Sequence, residues 1–484
     1  MGVASALAFG ALAGTLVVRT ILLVPKVPAA SEGVPPPFPK EEEGPAIERF
    51  ARLVRIPTIS EASVRTDAPF AAMRAALAEM PAATWLTRRD DPHALVWTWP
   101  GKDPSAKAIV VLAHHDVVPI EPGTEAKWSH PPFGGDVEGG FVWGRGALDD
   151  KASLGAMLEA VAWLHAEGFV PDRTIHLVSS DDEELGGTGA LGVAKRFADE
   201  KVAIGLVLDE GLSITKRIVP GVTSPVALLG IAEKGYATLA FDVTEGGGHS
   251  SMPPRSSAIG KLSAAITKLQ ASPFPVTATN VRSAFQDALA PHLPFGQRLV
   301  MGNRWLFGSL VDGELAKSPA SDALLRTTMA PTIVRAGTAE NVLATSAHAL
   351  VNFRIIPGET VASVLARVKD VIADPSITVT VLGNARDPST TTRLESKGYM
   401  LVEATVRASF PGTVVMPGLV LGGTDSHVFG DLADAVVRFA PVPFEADDLG
   451  RVHGTDERIS VGAYIDHIRF DAALLRRAAA TGAL

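Results

Sequence analysis

The stretch Ala108-Ile-Val-Val-Leu-Ala-His-His-Asp-Val-Val-Pro119 decides the fold. Its first half, Ile109-Val110-Val111-Leu112, is an unbroken apolar run, which reads as a strand buried on both faces of a parallel sheet covered by helices. The run ends in His114-His115-Asp116, and the residues just beyond a parallel strand lie where such sheets bind ligands. His114 and Asp116 are two apart, so on extended backbone they point the same way, and a carboxylate can orient the imidazole of a ligand histidine.

Working outward, the rhythm repeats. Asp150 is placed to cap a helix in which Leu154, Met157, Leu158, Val161 and Leu164 recur along one stripe. Thr174 to Val178 reads as strand, Ala190 to Ala198 as helix and Ile204 to Leu208 as the next strand. Alternating strands and helices predict an α/β fold with a mostly parallel central sheet. Near Lys234 the pattern changes. Ala237 to Val243, Ala349 to Ile355 and Ile377 to Leu382 read as strands around a helix from Ser256 to Leu269, which makes an inserted smaller α/β domain over 232–385 with its exit near Asn384. The first domain is then built from 46–231 and 386–484.

A chain of 484 residues, 46% of them hydrophobic, is too long for one ordinary core and fits this division. The net charge of −9 is spread without basic runs, so nucleic acid is excluded as a partner. No cysteine is present, which removes thiolate nucleophiles and leaves any metal to His, Asp and Glu. Val3 to Val24 is almost wholly apolar, broken by Arg19, and is long enough to span a bilayer if helical. Residues 1–24 are therefore expected to be a membrane anchor or a signal segment, with Ala29-Ala30 as a cleavage site, a buried helix being the remaining alternative, and the protein to be extracytoplasmic, membrane-anchored or secreted. The proline-rich residues 25–45, with Glu41-Glu42-Glu43, read as an exposed linker before a folded unit that starts near Ala46.

Four clusters follow the predicted strands of the first domain: His114-His115-Asp116, Asp149-Asp150, Asp181-Asp182-Glu183-Glu184 and Asp209-Glu210. Carboxylates gathered at one sheet edge repel unless a cation or proton compensates. Helix capping accounts for one or two such clusters, but poorly for four in succession. Adjacent Glu183 and Glu184 offer one carboxylate for a metal and one to take a proton from water. Gly186-Gly187-Thr188-Gly189 lacks the Gly-Lys-Ser/Thr ending of a phosphate loop, and neither Ser250 nor Ser426 sits in Gly-x-Ser-x-Gly. Phe274, Phe285, Phe295, Trp305, Leu306 and Phe307 form an apolar surplus in the second domain, which serves either a larger core or a groove for an acyl chain.

Ordered motifs carry a resemblance. They are Leu112-Ala-His-His-Asp-Val-Val-Pro119, Trp143-Gly-Arg-Gly-Ala-Leu-Asp-Asp-Lys151, Asp182-Glu-Glu-Leu-Gly-Gly187, Leu208-Asp-Glu-Gly211, Gly248-His-Ser-Ser251, Asn352-Phe-Arg-Ile-Ile-Pro-Gly358, Gly422-Gly-Thr-Asp-Ser426 and Arg451-Val-His-Gly454. The chain resembles the aminoacylase and carboxypeptidase S family of co-catalytic zinc peptidases, and most of all its carboxypeptidase S and N-fatty-acyl-amino-acid synthase/hydrolase branch. The resemblance implies two zinc ions bridged by Asp149 across a cis Asp149–Asp150 peptide, with His114 and Asp209 on one ion and Glu184 and His453 on the other. In some branches the ligand aligns with Glu210 instead. Glu183 would be the general base and Asp116 the partner of His114. The inserted domain would be a lid that dimerises, with His249 often reaching a site across the dimer interface. Asn341, Arg354 and the loop of Gly423 and Thr424 would hold substrate. The implied reaction is hydrolysis of an amide bond beside a free carboxylate, by a carboxypeptidase or N-acyl-amino-acid amidohydrolase. Its substrates would be small peptides or N-acyl amino acids, hydrophobic or fatty-acyl ones favoured, and thermodynamics permits the reverse condensation.

Overall fold

The computed structural model describes residues 2–25, 33–61, 66–383 and 385–484. Ala29-Ala30 and Asn384 lie outside them. Continuous apolar runs do become central strands. Ala108–His114 is buried at every position and pairs in parallel with both Ile175–Ser180 and Ile204–Asp209. A ten-stranded sheet grows from this core, with the antiparallel hairpin of Thr87–Asp91 and Ala94–Trp99 at one edge. The C-terminal part of the chain returns to add Val414–Val420 and Val436–Arg438. The helix Lys151–Ala166, apolar nearly all round, lies between this sheet and the C-terminal helix Val461–Ala478.

The segment expected to be the lid carries a four-stranded antiparallel sheet in the order Thr328–Ala336, Ser346–Ile355, Gly235–Thr244, Ile377–Val381. Alternate residues of Ser346–Ile355 are buried, so one face packs on the helices Ala258–Ala271 and Val361–Ile372 and the other stays open. Where the lid leaves the main sheet, buried Lys234 donates to the carbonyls of Ala323 (2.9 Å) and Arg326 (2.8 Å). The apolar surplus is not one unit. Phe274 joins the lid core, Phe285 packs beside the cluster of Val219, Leu289, Leu293 and Met416, and Phe295, Trp305 and Leu306 stay exposed.

Three expectations change. The folded unit begins before Ala46: Phe38 is buried edge-on against Trp163 with ring centroids 5.3 Å apart, and Arg469 donates to the carbonyls of Pro35 and Pro36. Glu41, Glu42 and Glu43 open the helix Lys40–Val54, where their charge complements the helix dipole rather than marking a linker. The bilayer-spanning reading of Val3 to Val24 gains no support, because among the described residues no helix is long and apolar enough to cross a membrane. Instead Gly2–Leu22 packs on the lid helix Phe295–Gly302, with Asn303 Nδ2 3.3 Å from Thr20 Oγ1 and Arg298 donating to the Leu23 carbonyl. Finally, Asp150 stands at the N-cap of Lys151–Ala166 but makes no side-chain capping bond, because its carboxylate turns to Ser153 and into the site.

Phe38 therefore belongs to the catalytic core. Phe38→Ala is expected to cost about 3–5 kcal/mol in denaturant unfolding, the usual range for deleting a buried aromatic ring. A truncation ending at Val24 should leave the unfolding midpoint far closer to that of the full chain than one ending at Pro39.

Candidate active site

Each acidic cluster arrives at the same edge of the sheet, by a different route. His114 ends Ala108–His114, Glu183 and Glu184 follow Ile175–Ser180, Glu210 follows Ile204–Asp209, and Asp149 precedes Lys151–Ala166. Asp149 is the centre. Its Oδ1 lies 2.8 Å from His114 Nε2 and its Oδ2 lies 3.0 Å from His453 Nε2. His114 Nε2 also approaches Glu210 at 3.4 Å, and His453 Nε2 approaches Glu184 at 3.3 Å. The two sides of one carboxylate thus face two His-plus-carboxylate sets. The Asp149–Asp150 peptide is cis, as the resemblance implies.

The charges are unusual for buried groups. Burial pushes Glu183 and Asp150 well above the carboxylate range, and burial with the charge of Asp149 pushes Glu210 up to about 7. Hydrogen bonds to Asp149 and Glu184 pull His453 up to about 10. Glu184 Oε1 and Asp150 Oδ2 are buried without a hydrogen bond. The ligand atoms of His114, Asp149 and Glu184 lie within 4.8 Å of one another, as do those of His114, Asp150 and Glu210. This donor set of imidazole nitrogens and carboxylate oxygens fits borderline divalent cations such as zinc.

Asp116 serves both a histidine and a turn. Its backbone carbonyl lies 3.0 Å from His114 Nδ1, and its carboxylate accepts from the backbone N–H groups of Glu183 (3.2 Å) and Glu184 (3.1 Å). One residue thereby sets the ring of His114 and the turn that presents both glutamates. Asp209 and Glu210 illustrate strand alternation. Neighbours on extended backbone point to opposite sides. Asp209 accepts from the Ser426 N–H at 2.7 Å, while Glu210 turns to His114. Of the two adjacent carboxylates it is thus Glu210, not Asp209, that faces His114.

Arg354, Gly423 and Thr424 line a cleft of about 1760 Å³ together with Glu183, Glu184 and His453. The N–H of Thr424 donates to Glu233 at 3.1 Å and its hydroxyl lies 3.1 Å from the same carboxylate and 2.7 Å from Ser426 Oγ, which fixes the loop. His249 and Asn341 are not brought to this cleft. They lie exposed beside the short ladder of Gly248–His249 with Val342–Leu343, where His249 Nδ1 meets Ser251 Oγ at 2.8 Å.

Several positioning residues escaped the sequence reading. Buried Glu457 accepts from the N–H groups of Leu148 (2.8 Å) and Asp149 (3.2 Å) and pairs with Arg145 at 2.6 Å, and Arg145 also holds the carbonyl of His453. His453 itself has left-handed backbone, φ 58°, a conformation rare for a side chain of this kind and here fixed by that bond. Arg145 stands inside the quoted Trp143 motif, and Glu457 three residues beyond the Arg451 motif. Their signal was present in position but not in chemistry.

Over residues 110–479 the sequence matches Peptidase family M20/M25/M40. The chain belongs to this family. It is 38% identical over 381 residues to the probable carboxypeptidase S-like 2 of Dictyostelium discoideum, covering 78% of this chain and 73% of that protein. It is 34% identical over 456 residues to the N-fatty-acyl-amino acid synthase/hydrolase PM20D1 of Homo sapiens, covering 92% and 90%. Carboxypeptidase S of Saccharomyces cerevisiae is 30% identical over 432 residues, covering 78% and 72%. Among solved structures, human carnosine dipeptidase 1 aligns with a TM-score of 0.65 at 16% identity, over 92% of this chain and all of that one, and so shares the fold. As a member of the M20/M25/M40 family the protein is an enzyme, a metallopeptidase.

Glu210→Ala is expected to lower the metal bound per chain, measured by elemental analysis, because it removes a group facing His114. Asp209→Ala should retain its metal and lose stability through the Ser426 loop. Metal lost from Asp209→Ala alone would return the ligand to Asp209.

Proposed function

We propose that the protein is a two-zinc hydrolase of amide bonds beside a free carboxylate, acting on N-acyl amino acids or short peptides whose acyl side is hydrophobic. The observation that carries this reading is Asp149, one oxygen toward His114 and the other toward His453, at the end of a large cleft lined by apolar side chains such as Val219, Phe285, Leu289, Val300 and Met301. His114 and Glu210 would hold one ion and Glu184 and His453 the other, with Asp149 between them. Two zinc ions bound there would act as Lewis acids, activating water and polarising the amide carbonyl. The names of the relatives support an acyl or peptide substrate.

Glu183 belongs to neither ligand set and lines the cleft, so it is the residue free to take a proton from the attacking water and return it to the leaving amine. Arg354 extends from the open face of the lid sheet with its guanidinium 5.0 Å from the centre of the Tyr236 ring. It would bind the free carboxylate as a planar fork and so set the amide over the metals. The apolar wall would take the acyl chain. Burial of that chain contributes about 0.8 kcal/mol per methylene, so longer chains should bind more tightly until the groove is full.

The exposed ladder that carries His249 and Asn341 would complete the site of a second copy, making the enzyme a homodimer through its lids. The apolar helix Gly2–Leu22, with Leu7, Phe9, Ile21 and Leu22 exposed, supports an extracytoplasmic place for the enzyme, membrane-associated or secreted.

Glu183→Gln should keep its bound zinc and lose roughly 10²-fold or more in kcat, the usual contribution of a general base. Retention of most turnover would remove Glu183 from that role. Chelation should abolish hydrolysis, and added zinc should restore it. Mixing Glu183→Gln with His249→Ala, each inactive alone, should regain activity if the lids exchange histidines, and a mixture as inactive as its components would argue for a self-sufficient chain.

A further inference from the structure

Tyr236 lies in the lid strand Gly235–Thr244, with an arginine on each side of it in the sheet. Arg354 of Ser346–Ile355 is its direct cross-strand partner. On the opposite side Arg386 exchanges both backbone hydrogen bonds with it, Arg386 N to Tyr236 O at 2.7 Å and Tyr236 N to Arg386 O at 2.9 Å. Directly opposed residues of an antiparallel pair project from the same face. Arg354, Tyr236 and Arg386 therefore form one row across three strands, and all three line the cleft.

The Arg386 side chain is accommodated by its surroundings. A Cβ on Gly423 would overlap Arg386 Nη2 and stand 2.9 Å from its Cζ, so only glycine at 423 leaves the guanidinium its place. The Nε of Arg386 is buried without a hydrogen bond. Among the described residues no carboxylate forms an ion pair with Arg386 or Arg354, although most other arginines of the chain have one. Burial, and after it the neighbouring charge of Arg386, push the Arg354 guanidinium below its ordinary range. Two cations in one row that line a cleft and form no ion pair with a protein carboxylate offer their forks to anionic groups from outside.

We propose that Arg386 forms a second carboxylate subsite, so that the amino-acid side of the substrate is an acidic residue, aspartate or glutamate. This rests on the proposed hydrolysis of N-acyl amino acids or peptides, with Arg354 on the α-carboxylate. Cross-strand neighbours are about 5 Å apart, so the two arginines start about 10 Å apart across the row. That separation suits two carboxylates joined by a short side chain better than one carboxylate shared between two forks. The substrate becomes a molecule with a doubly charged head toward the lid sheet and an apolar tail along the groove.

The test compares N-acyl-glutamate with N-acyl-glutamine of the same chain length on the zinc-loaded enzyme, since the two differ in charge and hardly in shape. Wild type is expected to favour glutamate at least about tenfold in kcat/KM, a modest value for a charge-assisted fork. Arg386→Met should bring the ratio close to one, and Gly423→Ala, which displaces the guanidinium, should lower it as well. A wild-type ratio of one or less overturns the subsite, and so does an Arg386→Met variant that keeps the wild-type ratio while both substrates slow together. If neither substrate is cleaved, the hydrolase reading fails separately, and calorimetry of free L-glutamate against L-glutamine on the same zinc-loaded protein decides Arg386. Glutamate bound at least about tenfold more tightly, with the preference lost in Arg386→Met, sustains the subsite. Equal affinities overturn it.

Discussion

Five carboxylates, those of Asp149, Asp150, Glu183, Glu184 and Glu210, are confined around two imidazoles at one edge of the central sheet. Confinement of this kind is costly, because each charge loses water and gains repelling neighbours. Cations held between Asp149 and its flanking sets would remove both penalties at once. Much of the surrounding structure holds those groups in place: Asp116 fixes one histidine and one acidic turn, Glu457 fixes the backbone of Asp149, and Arg145 joins Glu457 to His453.

This arrangement explains why the fold is discontinuous in sequence. Parallel strands deliver His114, the Glu183-Glu184 turn and Glu210 from the first part of the chain, while His453 comes from the last. Binding at that edge thus ties the beginning of the catalytic domain to its end, across the inserted lid. The buried pair of Arg145 and Glu457 makes the same closure in protein alone. A buried pair whose every oxygen has a partner is a device of registry more than of stability.

The sequence carried the α/β architecture and the gathering of acidic residues and histidines at one sheet edge, because continuous apolar strands and acidic residues at strand ends are local signals. What it could not carry was orientation. Asp209 and Glu210 are adjacent and chemically alike, and only the alternation of a strand end sends one to Ser426 and the other to His114. Nor does sequence reveal that Glu233, nearly two hundred residues earlier, holds the N–H of Thr424 and lies beside its hydroxyl. The proline-rich approach to Ala46 looked unable to pack because composition does not reveal that Phe38 meets Trp163. The N-terminal apolar run read as a bilayer span because its partner, the helix Phe295–Gly302, lies nearly three hundred residues away.

Tyr236, Arg354 and Arg386 ride on the lid sheet, whereas Asp149 and its neighbours belong to the main sheet. A substrate fastened at both places spans two bodies. The distance between them would then work as a ruler, fixing how far from the charged terminus the scissile bond can lie, so that an exopeptidase would differ from an endopeptidase here by the pitch of one domain against another. Lys234, clamped to two carbonyls at the crossing point, stands where the two sheets join and would hold that gauge.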